Sequence, residues 1–413
     1  MTSNVSGSAP DAQGLVAQGL IAQGAARVEW IRSRMPLLAA ARADLAATRP
    51  FAGHRIGMSL HIEPKTAVLL ETLAAGGAEI VGTGNHGSTQ DDVVAFLNAS
   101  GAGMTLFGAR DDTLEQHHAN IRRVLDAAPD MLLDNGGDLA AGVVGDGTAA
   151  GILGGTEETT SGGDRLRGEL AGAVPFPMIV INDSLLKAIG ENKHAVGQSV
   201  VESFMRITNL MVPGRRFVVF GYGWCGRGVA HYLRALGAKV AVVEVDELKA
   251  FEAALDGFRV STEVGGGPAL AEWGDVFITA TGHPGVLGLD TIGRMRDGAI
   301  LANCGHFPWE IDVPGLRAAS TGSREIVEAI ERIDLPDGRH VVLIAGGRMF
   351  NLAGREPKGN SLESMDLGFL LQTLSLERVA TDAASLVPGA QPVPDDIDRT
   401  IARRMLAAMS ASE

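Results

Sequence analysis

The 413-residue chain carries only two cysteines, Cys225 and Cys304. That excludes a disulfide framework and makes a reducing compartment the default. Positive charge is scarce: 35 Lys and Arg stand against 49 Asp and Glu, a formal net charge of −14. Such a surface argues against nucleic acid or an anionic membrane as partner. No uninterrupted apolar run reaches membrane-spanning length. The opening stretch, MTSNVSGSAPDAQG, is polar and lacks the apolar segment of a secretion signal, so residues 1–25 are expected to be disordered. No internal repeat is evident. The chain is therefore expected to be soluble and cytoplasmic. What is present is a 46% share of apolar residues. That is ample for sizeable cores, and the length suits two or three domains.

The most informative stretch is RRFVVFGYGWCGRGVAHYLRALGAKVAVVEVDE, from Arg215 to Glu247. Arg216 to Phe220 is an apolar, β-branched run that predicts a buried parallel strand. Gly221, Gly223 and Gly226 then fit G-x-G-x-x-G, helical apolar spacing follows to Leu236, and a second strand ends at Glu244. The first glycine permits a tight turn, the second lets backbone approach a pyrophosphate, and the third lets helix pack on strand. Amides at the helix N-terminus then face the phosphates. Glu244 can accept bonds from a ribose diol, which fits NAD and repels a 2′-phosphate. Cys225, inside the turn, reads as a small space-filler.

Elsewhere strand and helix patterns alternate, which predicts parallel sheets covered by helices, an α/β fold. The expected layout is a first part of a substrate-binding domain over 26–190 and a Rossmann-type NAD domain over 191–348. A return helix at 349–380 completes the split substrate domain, and a tail follows over 381–413. A single helix is expected across Val28 to Ala47 and another across Glu191 to Leu210, while GGTEETTSGGDRL reads as a loop opening a helix.

Seven stretches, in order, resemble the S-adenosylhomocysteine hydrolase family: SLHIEPKTAVLLETL, EETTSG, FPMIVINDSLLKAIGENKHAVGQS, GYGWCGRGVA, EVDELKAFEAALDGFRV, NCGHFPWEIDV and MDLGFLLQTLSLE. The resemblance implies an NAD domain inserted in a split substrate domain. It also implies a chemistry in which NAD⁺ oxidises a nucleoside 3′-hydroxyl and the ketone acidifies the 4′ hydrogen. A base then removes that hydrogen, the 5′ thiol leaves, water adds, and the ketone is reduced again. The logic is sound, because a C–H beside a carbonyl is within reach of a positioned side-chain base.

Carried onto this chain, the resemblance assigns Lys187 to the 3′-hydroxyl, with Glu191 and Asn192 beside it. Glu158 and Thr159 meet the ribose diol, His61 lies near the 5′ leaving group, and Asp138 is a further carboxylate. His306 stands on the access path. The cofactor set is Gly221, Gly223, Gly226, Glu244, Thr281, Asn303, Asn192 and Asn351, joined from the substrate side by Thr159, Thr160 and Ser161. A homo-oligomer, dimer or tetramer, is implied, with no metal.

Four departures bear on the exact reaction. Asn135 stands where the family has the carboxylate that takes the 4′ proton, and a neutral amide is no base. That leaves His61 or Asp138, or an elimination not performed as in the family. Glu63 and Lys65 replace the adenine-facing residues ahead of Thr66, and a lysine offers only donors, so a carbonyl-bearing base edge suits it better. The Gly-His-Pro-Ser loop is missing, with Asn360 near its histidine. The basic-aromatic C-terminal tail is absent. The favoured reading is a hydrolase or lyase of a nucleoside 5′-thioether. The alternatives are a nucleoside 3′-oxidoreductase or epimerase without thiol loss, and a non-catalytic NAD-responsive regulator.

Overall fold

The computed structural model describes residues 12–85, 88–305, 308–354 and 357–410. Two compact units emerge, Met1–Lys187 with Met365–Glu413, and Ala188–Ser364. The chain first lays down β1 (Arg55–Leu60), β2 (Glu79–Gly84), β3 (Met104–Phe107), β4 (Met131–Asp134), β5 (Gly154–Glu157) and β6 (Pro177–Val180). The second unit holds β7 (Arg216–Phe220), β8 (Lys239–Val243), β9 (Arg259–Ser261), β10 (Val276–Thr279) and β11 (Ala299–Asn303). β12 (Gly322–Val327), β13 (Ile330–Asp334) and β14 (His340–Ile344) complete it, and β15 (Gly389–Pro392) returns to the first.

The first sheet has the order β15-β6-β5-β4-β1-β2-β3, and every pairing is parallel. Alternate residues of β4 enter opposite cores: Met131 and Leu133 join Ile56 and Leu70, while Leu132 joins Val143 and Met178. Both faces are therefore covered, which is why these strands read as continuous apolar runs. The strand order reverses between β1 and β4, so the ends of those two strands open a crevice where ligands bind in such sheets.

The second sheet, β12-β13-β14-β11-β10-β7-β8-β9, reverses between β7 and β10. Phe217 and Val219 bury on one side, Val218 and Phe220 on the other. Its antiparallel edge, β12 to β14, closes the sheet beyond β11.

Several expectations are corrected. A helix spans Ala12–Arg32, beginning inside the segment 1–25 that was expected to be disordered. A second helix, Pro36–Thr48, starts with proline at its first turn. Pro36 cannot continue the preceding helix, because it lacks the N–H and disfavours helical backbone before it. The expected helix from Glu191 is a π-helical segment, Lys187–Ala195, running into an α-helix, Val196–Thr208. β5 falls where a loop was expected. Its sequence, Gly-Gly-Thr-Glu, carries no apolar side chain, yet all four residues are buried. A Cβ at Gly155 would meet the Leu132 carbonyl oxygen at 2.5 Å, so close strand packing demands glycine there. The tail supplies β15 and a helix, Asp395–Ser410. Among the described residues no helix is long and apolar enough to cross a membrane.

Candidate active site and cofactor site

At the carboxyl edge of the first sheet, four strands are each followed at once by a polar residue. His61 follows β1, Asn85 follows β2, Asn135 follows β4 and Glu158 follows β5. Hydrogen bonds join three of them. The Asn135 amide donates from Nδ2 to Glu158 Oε2 at 2.7 Å, and Asn85 Nδ2 donates to Asn135 Oδ1 at 2.9 Å. A carboxylate only accepts, so Glu158 fixes the orientation of both amides. Lys187, almost fully buried, donates from Nζ to the Glu158 carbonyl at 3.0 Å and lies 3.9 Å from Glu158 Oε1. Gln372, on the helix Leu362–Asp382, donates from Nε2 to Glu158 Oε1 at 3.2 Å. Its own Oε1 is buried and has no hydrogen-bond partner among the described residues. An unsatisfied acceptor beside Glu158 suits a ligand hydroxyl.

His61 is half-buried, and its Nδ1 lies 2.6 Å from Ser88 Oγ. Enclosure by protein pushes the imidazole below its usual range, outweighing the nearby Glu158 and Glu63, while Lys65 pushes the same way. His61 is therefore neutral near pH 7. Thr66 donates its hydroxyl to the His61 carbonyl at 2.6 Å, which pins the strand end. Glu63 precedes the helix Pro64–Ala75, and its Oε1 is 3.1 Å from Lys65 Nζ. Lys65 is buried, so this pair stands as one fixed donor beside one fixed acceptor.

Behind this surface lies a layer that sequence reasoning missed. Asp134 and Glu157 end β4 and β5, register as partners across the two strands and are both fully buried. Glu157 accepts from the amides of Gly136 and Gly137 at 3.0 Å each and from the amide and hydroxyl of Thr159 at 2.7 Å each. Asp134 accepts from the amides of Asn135 at 3.0 Å, Leu139 at 3.3 Å and Ala140 at 3.0 Å. The two acids thus shape the turns that present Asn135 and Glu158. Burial, then the facing Glu157, pushes Asp134 up to about 8, and burial also raises Glu157. The only sequence signal was the doubling of acids in TEETT and the carboxylate closing MLLD.

Other expected residues are placed differently. Asp138 starts the helix Asp138–Gly145 and accepts from Arg165 Nη1 at 2.8 Å, with His117 at 3.7 Å. Burial would raise this carboxyl, but the contacts with His117 and Arg165 outweigh it and hold it below the usual range. Thr159 caps the helix Thr160–Arg167 by accepting from Gly162 N, its hydroxyl also lying 3.1 Å from Ser161 Oγ. Thr160 accepts from Asn182 Nδ2 at 2.8 Å. His306 lies outside the described residues.

The second unit holds the dinucleotide turn. Gly221 has φ +95°, as a tight turn requires. A Cβ on Gly226 would sit 2.0 Å from the Gly221 carbonyl oxygen, whereas one on Gly223 would meet nothing within 4 Å. The protein's own packing thus needs Gly226 but leaves open space at Gly223, a cradle that fits the approach of a pyrophosphate. Glu244 is held at the end of β8, its Oε2 accepting from Tyr222 N at 2.7 Å and its Oε1 from Asp246 N at 3.0 Å. Beyond β10, the buried Glu310 accepts from the amide and hydroxyl of Thr281 at 2.9 and 2.8 Å. Asn303 knots three strand ends, accepting from Thr279 Oγ1 at 2.9 Å and donating to the Gly347 carbonyl at 3.0 Å.

Asn351 donates to Ser199 Oγ at 3.2 Å, while its buried Oδ1 has no partner among the described residues, an acceptor that fits a carboxamide N–H. Asn360, in the same unit, donates to Glu191 Oε1 at 3.3 Å and accepts from Ser199 Oγ at 3.4 Å. Asn192 follows Glu191 on the π-helical segment. These residues fit NAD, whose nicotinamide supplies reversible hydride transfer when bound. Neither cysteine is in a disulfide, and burial raises the Cys304 thiol well above its usual range, which makes it a poor nucleophile.

Comparison with known proteins agrees with this geometry. The family model "S-adenosyl-L-homocysteine hydrolase" matches residues 17–150, and that family's NAD-binding domain model matches residues 192–356. An S-inosyl-L-homocysteine hydrolase of Methanopyrus kandleri is 44% identical over 92% of this chain and 89% of its own. An adenosylhomocysteinase of Sulfolobus acidocaldarius is 41% identical over 94% of this chain and 92% of its own. In fold alone, the chain resembles the crystal structure of a dipicolinate synthase component from Bacillus halodurans. That match has a TM-score of 0.50 and 13% identity, covering 80% of this chain and 99% of that one. The chain belongs to the S-adenosyl-L-homocysteine hydrolase family and takes NAD as its cofactor.

Proposed function

We propose that this enzyme hydrolyses the homocysteine thioether of a 6-oxopurine nucleoside, with S-inosyl-L-homocysteine as the simplest substrate. The observation that carries this choice is the buried Lys65, whose Nζ lies 3.1 Å from Oε1 of the half-buried Glu63. The hydroxypurine edge presents a carbonyl oxygen beside an N–H. Lysine can only donate and a carboxylate can only accept, so O6 meets Lys65 and N1–H meets Glu63. The relatives' names include both inosyl and adenosyl substrates at similar identity, which is compatible with this reading without deciding it.

Lys187 exchanges the proton of the 3′-hydroxyl, and Glu158 with Gln372 holds the ribose diol. Asn135 serves as a donor to Glu158 and not as a base. His61 accepts the 4′ proton, since Asp138 is engaged with Arg165 and His117. On the helix Glu247–Leu255, Leu248, Phe251 and Leu255 are exposed at helical spacing, which supports a homo-oligomer. The cytoplasm is its proposed setting.

The test is thiol release from the S-inosyl and S-adenosyl thioethers under matched conditions. We expect kcat/KM to favour the inosyl substrate by roughly 100-fold, and Lys65→Glu to reverse the preference. A preference for adenine in the unaltered enzyme would refute the base assignment. NADH formation without thiol release from either thioether would favour the oxidoreductase reading instead.

A further inference from the structure

Ser88 lies at the rim of the first unit's crevice and was assigned no role from the sequence. Its Oγ has one proton and, among the described residues, two hydrogen-bonding neighbours. One is the Asn85 carbonyl at 3.0 Å, which can only accept; the other is His61 Nδ1 at 2.6 Å, which can do either. If the hydroxyl donated to His61, two oxygens, Ser88 Oγ and Asn85 O, would face each other with no proton between them. Only one arrangement satisfies both contacts. Ser88 donates to the Asn85 carbonyl and accepts from His61 Nδ1–H. The neutral ring then carries its lone pair on Nε2.

The Asn85 carbonyl is fixed in turn. The Asn85 backbone amide donates to the Leu60 carbonyl at 3.0 Å, and its side chain donates to Asn135. We propose that Ser88 is a positioning residue that selects the Nδ1–H tautomer of His61 and so makes Nε2 the base that removes the substrate's 4′ proton. This rests on the proposed function. Once the 3′-hydroxyl is oxidised by NAD⁺, the C4′–H bond breaks. Its proton goes to His61 Nε2, its electron pair is shared with the 3′ carbonyl, and the ring becomes an imidazolium with both nitrogens protonated. Glu158 and Glu63 face that cation and favour it, while Lys65 opposes it. The serine keeps its role throughout, because it accepts from Nδ1–H in both ring states.

The two half-reactions separate this role from a structural one. The NAD-loaded enzyme is mixed with inosine in heavy water, and NADH absorbance and deuterium entry at C4′ are followed together. Oxidation depends on Lys187, and exchange depends on His61. S88A is expected to form NADH at the parental rate while C4′ exchange falls about 100-fold, the scale of a misplaced general base. S88T keeps the hydroxyl and is expected to retain exchange within a few-fold of the parent. Parental exchange in S88A would overturn the proposal. Loss of both half-reactions together in S88A would overturn it too, since Ser88 would then hold the loop and not the tautomer. If the unaltered enzyme forms no NADH with inosine or adenosine, the proposed function itself fails.

Discussion

At the carboxyl edge of the β7–β14 sheet the expected ligand surface is largely backbone. At the same edge of the β1–β6 sheet it is largely side chain. Both sheets have a switch point between parallel strands, between β7 and β10 and between β1 and β4. The dinucleotide turn needs glycine, a helix N-terminus and one acid, and these features depend on local sequence. The crevice of the first unit needs His61, Asn85, Asn135 and Glu158 aimed from four strands, and each is aimed by something behind it. Asp134 and Glu157 gather the amides of the turns, Ser88 sets a ring, and Gln372 reaches Glu158 from a distant helix. A site built of backbone is specified where it stands, whereas a site built of side chains is specified one layer deeper.

The largest expected effect breaks the side-chain site alone. Lys187→Ala removes the amine that donates to the Glu158 carbonyl and is proposed to exchange the proton of the 3′-hydroxyl. Reduction of bound NAD by nucleoside should fall about 10³-fold, within the range for loss of an acid–base group. NAD should remain bound, because the glycine turn lies in the other unit. Stopped-flow absorbance on the loaded enzyme checks this, and undiminished reduction would remove Lys187 from the chemistry.

The next pair sharpens the backbone site. Gly223→Ala adds a methyl where the protein offers open space, at an ordinary φ of −67°. Stability should be unchanged while NAD binds about 100-fold more weakly, roughly 3 kcal/mol. Gly226→Ala drives a Cβ to 2.0 Å from the Gly221 carbonyl, so both affinity and thermal stability should fall. Calorimetry with and without NAD distinguishes the two. Equal loss of stability in both variants would mean that Gly223, too, serves the protein's own packing.

The same contrast explains what could be read in advance. The glycine turn, Glu244 and the alternation of strands follow from local composition, and Lys187, His61 and Glu158 follow from quoted stretches. β5 was hidden because its four residues carry no apolar side chain and are buried by close backbone approach. The break at Pro36 was overrun because apolar spacing continues on both sides of it. Asp134, Glu157 and Ser88 act through partners that lie next to them only after folding, across strands or a turn. Gln372 was hidden because it is one of several buried polar residues on its helix, beside Asp366, Thr373 and Ser375. The contacts of Asn360 with Glu191 and Ser199 were not legible either, because sequence spacing does not show them.

The smallest effect tests the hidden layer by its pH dependence. Asp134 is raised to about 8 by burial and then by Glu157, so the folded state holds a proton that the unfolded chain releases near its ordinary 3.8. The stability this confers is complete below that ordinary value and is lost as pH rises through the folded one. His61 has the opposite sign, because its lowered value makes stability rise with pH up to its ordinary 6.5. Between pH 6.5 and about 8 the His61 contribution is flat and that of Asp134 is still falling. Asp134→Asn cannot ionise and removes the charge facing Glu157, so its apparent Tm should decline less over this window than the parent's. It also turns an N–H toward the amides of Leu139 or Ala140, so its Tm should be lower at every pH. A decline as steep as the parent's would show that the proton lost over this window is not held by Asp134.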